Sequence, residues 1–156
     1  MRTLERPELQ APDASSRAGG RPVMLATLDV PFDTDAVAFA VDTAVELGER
    51  LIVANFAEQA PLPLSTMLGY DDLPYPPDMA ESLLAATKLA ATLGVEVTRL
   101  RVKSFRPITA MLEVLAEQGA GIFVFGPDRS RIGRLRYRRA VRAIRSGATA
   151  LVWLAE

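Results

Sequence analysis

Eight arginines fall between Arg129 and Arg145, with no acidic residue among them. Guanidinium groups are planar forks that grip phosphate or carboxylate through paired hydrogen bonds, so such a cluster suits anion capture. On a helix, Arg134, Arg138, Arg142 and Arg145 share one face at i, i+4, i+8 and i+11. Tyr137, Ala140 or Val141, and Ile144 form the opposite, apolar stripe. The segment can therefore pack against a core and still present a cationic ridge. The other ten basic residues and all nineteen acids leave the rest of the chain at −9, within a total of −1. That is one basic patch on an acidic body. Two further places invite a ligand: Asp29, which closes an apolar run from Pro22, and Gly126-Pro127-Asp128, which follows another.

The residues that are missing narrow the chemistry. There is no cysteine and no histidine. Without them, disulfides, thiolate nucleophiles, histidine-based triads and the usual zinc sites are excluded. An enzyme built from this chain would need carboxylates, Lys, Tyr or an oxygen-held metal, so the composition favours a binding module over an enzyme. Asp71-Asp72 and the pair Asp78 and Glu81 lie in or beside a proline-rich stretch and read as solvent-exposed groups, not a metal or acid–base site. Tyr70 and Tyr75 in that stretch are placed to fold over a cleft mouth.

Positioning these groups requires a scaffold, and the chain of 156 residues fits one domain. Residues 1–20 mix Pro, Ser, Gly and charge without periodicity and read as a disordered tail; residues 21–156 read as the domain. No secretory leader and no membrane span is expected, which points to the cytoplasm. Pro22 to Asp29 is nearly all apolar, as a buried parallel strand should be. Asp33 or Thr34 can cap the next helix, which Gly48 stops. A strand follows from Leu51 to Phe56, then a loop from Ala60 to Met79, and a helix from Ala80 to Leu93. Val95 to Val102 alternates like a strand near a sheet edge. Pro107 opens a helix with the stripe Ile108, Met111, Leu112 and Leu115, ended by Gly119 and Gly121. The remaining elements are a strand from Ile122 to Phe125, the basic helix from Gly133 to Ser146, and a strand from Ala150 to Leu154. Alternating strands and helices predict a doubly wound α/β domain, with a five-stranded parallel sheet and helices on both faces. Ligands of such sheets bind beyond the carboxyl ends of the strands, here Asp29, Phe56 and Gly126 to Asp128.

From Pro22 onward these stretches, in this order, resemble the universal stress protein family. The matching pieces are Leu28-Asp29, the helix to Gly48, Leu51 to Phe56, Arg106 to Glu113, Gly121 to Gly126, and Ala143 to Leu154. The resemblance implies strand order 3-2-1-4-5 and a nucleotide site. In that site Asp29 matches an adenine-contacting aspartate, and the backbone of Phe56 takes the adenine-side position. The family's phosphate loop is Gly-x-x-Gly, with Gly-Ser or Gly-Thr further on. Glycines let backbone N–H groups approach phosphate, and a helix N-terminus adds positive potential. Gly126 matches the first glycine, but Arg129 occupies the second. The last pair falls on Arg139-Ala140 counted straight on, or on Tyr137-Arg138 with a slightly shorter segment. Gly133 is the only other glycine nearby. The first loop reads Asp29-Val30-Pro31 where the family has Asp-Gly-Ser, and proline has no N–H to offer.

Three readings of the arginines follow. They pair as a solvated helix with acids of the same domain or of a dimer partner. They capture a nucleotide's phosphates without glycines, with Arg129 and Arg138 as candidates. Or they dock nucleic acid or an acidic partner, although the body's charge of −9 argues against broad contact with DNA. The leading expectation is a non-enzymatic regulatory module of the stress response with weak or no ATP binding and an unidentified protein partner. The alternative is an ATP- or AMP-binding form that uses Asp29 and arginines. The resemblance also implies a homodimer through the uncharged last strand.

Overall fold

The computed structural model describes residues 20–59 and 77–155. The expected tail to residue 19, Tyr70, Asp71, Asp72 and Tyr75 lie outside these described residues. Five strands form one parallel sheet: β1 (Val23–Thr27), β2 (Leu51–Glu58), β3 (Val97–Ser104), β4 (Ile122–Phe125) and β5 (Leu151–Leu154). Their order is β3-β2-β1-β4-β5, as expected. Among the described residues four helices connect them: α1 (Thr34–Leu47), α2 (Pro77–Thr92), α3 (Pro107–Gln118) and α4 (Arg134–Gly147). None is long and apolar enough to cross a membrane.

Local chemistry sets the helix ends. The Asp33 carboxylate accepts the Ala36 N–H at 3.0 Å and satisfies one donor of the first turn of α1. Gly48 and Gly119 end α1 and α3 with φ of 65° and 63°, where a side chain would be strained. The loop expected up to Met79 yields three residues to α2, which begins at Pro77. Proline is tolerated in a helix's first turn, and the Asp78 carboxylate accepts the Met79 N–H. β2 runs past Phe56 to Glu58 because β3 pairs with it as far as Ser104.

The sheet separates two cores. Val23, Leu25, Leu51 and Val53 face α1 and α2, while Met24, Ile52, Phe56, Phe123 and Phe125 face α3 and α4. β1 is buried on both faces, which explains its continuous apolar run. Burying one large apolar side chain contributes about 1.5–3 kcal/mol. At the far edge, Trp153 of β5 stacks on Phe39 of α1, with ring centroids 5.0 Å apart.

Gly126 has a packing reason. A Cβ at this position would stand 2.3 Å from the Cβ of Ala36 on α1. Gly126→Ala should therefore cost about 1–3 kcal/mol through overpacking, read from the urea midpoint. An unchanged midpoint would show that α1 yields freely.

Candidate functional site

The strand order reverses between β1 and β4, which places the switch point at their carboxyl ends. Asp29 follows β1 in the left-handed region, with φ of 57°. Its N–H donates to Oδ1 of Asn55 at 2.8 Å, and the Thr27 hydroxyl donates to the Val30 carbonyl at 2.8 Å. These bonds hold a conformation that a non-glycine residue rarely adopts. Asn55 is fully buried at the end of β2, and its Nδ2 has no partner among the described residues. In the sequence Asn55 is marked only as a lone polar residue within the apolar run of β2.

The loop leaving β4 is tied to the loop leaving β1. Phe32 and Pro127 form an antiparallel bridge. Within it, the Asp33 N–H donates to the Gly126 carbonyl at 2.9 Å and the Asp128 N–H to the Pro31 carbonyl at 2.8 Å. Four more of the loop's N–H groups also have acceptors inside the protein, while the Arg129 N–H has none among the described residues. Gly126 N–H reaches the Ala26 carbonyl, and the Arg131 and Ile132 N–H groups share the Asp128 carbonyl. The Ser130 N–H and hydroxyl both donate to the Asp128 carboxylate. A phosphate cradle needs free N–H groups pointing at the ligand. Between Gly126 and Ile132 five N–H groups already have protein acceptors, and Pro127 has none to give. The first turn of α4 remains as a backbone donor.

The arginines separate into distinct environments. The Arg129 guanidinium lies 3.5 Å from the centroid of the Tyr137 ring, and its Nη1 donates to the Ala155 carbonyl at 3.4 Å. The Tyr137 hydroxyl donates to that same carbonyl. Arg131 pairs with Asp78 on α2. Among the described residues Arg134, Arg138, Arg139, Arg142 and Arg145 make no ion pair. Pairing with acids of the same domain therefore accounts for Arg131 alone in this set. Arg136 is half-buried, and its Nη2 has no hydrogen-bond partner among the described residues.

The six candidate site residues are thus spread out. Asp29 and Gly126 stand at the ends of the paired strands β1 and β4, and the Asp29 side chain is exposed. Phe56 is fully buried in the core on the α3 and α4 side. Gly133 is the exposed N-cap of α4, with open space where a Cβ would sit. Arg129 is engaged by Tyr137, and Arg138 is exposed on α4. No group of three or more acids, suited to a metal ion, occurs among the described residues.

In this doubly wound architecture, with helices on both faces of a 3-2-1-4-5 parallel sheet, ligand crevices lie beyond the carboxyl ends of β1 and β4. The chain has the universal stress protein fold. A universal stress protein from Archaeoglobus fulgidus superposes with a TM-score of 0.59 at 17% identity, covering 88% of this chain and 94% of that one. The A. fulgidus protein in complex with dAMP gives 0.58 at 16% identity, with 88% and 98% covered. A universal stress protein in complex with cAMP gives 0.56 at 16%, with 87% and 96% covered. No family model and no curated protein matches the sequence.

The Arg131 pair makes a pH prediction. Chiefly through its hydrogen bond, Arg131 holds the Asp78 carboxyl below its ordinary value of 3.8. A lowered folded-state value means that the pair's contribution is present above that ordinary value and is lost as pH falls through the lowered one. In Arg131→Gln the Asp78 carboxyl should titrate closer to 3.8, followed by carboxyl carbon NMR. An unmoved titration would mean that the contact does not persist in solution.

Proposed function

We propose that this chain is a non-enzymatic regulatory module of the cytoplasmic stress response that acts through a protein partner and binds ATP weakly or not at all. The observation that carries the reading is the β4 exit loop, where five of the six N–H groups from Gly126 to Ile132 are bonded within the protein. The guanidinium of Arg129, at the family's second glycine position, lies on the Tyr137 ring and donates to the Ala155 carbonyl. The link to stress physiology rests on fold likeness, which by itself fixes no function.

One observation favours a second reading. Asp29 stands exposed at the end of β1, and the β4 exit loop leads into the N-terminus of α4, features that support adenine and phosphate contacts without a glycine cradle. Calorimetric titration with ATP, AMP and cyclic AMP, with and without magnesium, separates the two. The leading reading expects affinities no tighter than about 1 mM. Micromolar affinity lost on Asp29→Ala would overturn it in favour of the second.

The module is proposed to work as a homodimer through β5. Leu151 on this edge strand is 75% exposed beside the half-exposed Val152. An unpaired apolar edge invites a partner strand. Light scattering at micromolar concentration should report a dimer, and Leu151→Glu should shift it to monomer with the fold retained. A monomeric parent chain would remove the dimer proposal.

A further inference from the structure

We infer that the outer side of α4 is a docking surface for an acidic, amphipathic peptide segment of a protein partner. This names the partner chemistry of the module proposed above and rests on that reading. Leu135 is 70% exposed on the first turn of α4, and the half-buried Val141 lies further along. Together with Arg138, Arg139, Arg142 and Arg145 they line an open surface along one side of α4. None of these four arginines makes an ion pair among the described residues. Like charges at i, i+4 destabilise a helix, so Arg138 and Arg142 repel each other until an anion arrives.

The occupant follows from the lining. A segment with carboxylates beside one apolar side chain would set that side chain on Leu135. Its carboxylates would meet Arg138 and Arg142 as paired forks. Nucleic acid fits less well. Single strands bind by stacking bases on exposed rings, but the one ring on α4, Tyr137, is buried beneath Arg129. A phosphate backbone has no use for an exposed leucine, and the remainder of the chain, at −9, repels a long polyanion.

The test is fluorescence anisotropy with a labelled helical peptide that carries Glu and Leu on one face. The comparison probes are the same peptide with Ser for Leu, polyglutamate, and a single-stranded oligonucleotide of equal charge. The Glu/Leu peptide should bind tightest, and its affinity should fall with added salt. Leu135→Ser, and separately Arg138→Gln with Arg142→Gln, should each weaken it about tenfold or more with unchanged thermal unfolding. The inference is overturned by no peptide binding, or by binding indifferent to Leu135→Ser. Polyglutamate or the oligonucleotide binding as tightly as the peptide overturns it too. So does assembly of the free protein that the arginine substitutions abolish, which would make a second copy the occupant. The nucleotide titration is independent of this surface. A silent titration with no peptide binding removes the surface and leaves the module; tight ATP with specific peptide binding does the reverse.

Discussion

The bridge between Phe32 and Pro127 organises the working edge of this domain. It joins the exit of β1 to the exit of β4 at the point where a doubly wound sheet usually opens a crevice. The bridge uses the Gly126 carbonyl and the Asp128 N–H, so that this N–H is committed to a protein acceptor. Its geometry depends on close approach, because Gly126 lies directly against Ala36 of α1. Glycine at this position thus has a sufficient cause in packing, whatever ligand the fold once held. The same bridge positions Asp128, whose carbonyl and carboxylate then accept the loop's next donors.

The arginines that follow this edge are sorted by the helix. α4 turns Tyr137, Ala140 and Ile144 inward, and this apolar stripe anchors it on the core beside α3. Arg129 folds back over Tyr137, and both reach the Ala155 carbonyl just beyond β5. That contact ties the β4 loop, α4 and the end of the sheet into one unit. A buried ring capped by a guanidinium is a favourable contact, and it removes one cation from the ligand-facing edge. The outward face keeps its charge without partners in the described residues, which is the physical basis for an interaction surface there.

Much of this was legible in the sequence because its causes are local. The Asp33 cap, the glycine stops at 48 and 119, the apolar run of β1 and the inward stripe of α4 follow from side chains a turn or two apart. The positions that escaped are governed by distant partners. Asn55 matters because the Asp29 backbone, 26 residues away, needs an acceptor in a strained conformation. The start of α2 at Pro77 was obscured by prolines that usually break helices but fit a first turn. The contacts of Arg129 with Tyr137 and Ala155 likewise join residues 8 and 26 positions apart.

The central claim is that the β4 exit loop satisfies its own backbone donors, the Arg129 N–H excepted. Amide hydrogen exchange measured by NMR, with and without millimolar ATP and magnesium, tests it at each residue. Slow exchange is expected at Gly126, Asp128, Arg131 and Ile132 in the free protein, unchanged by the nucleotide. Fast exchange at these amides that becomes protected when ATP is added would contradict the account.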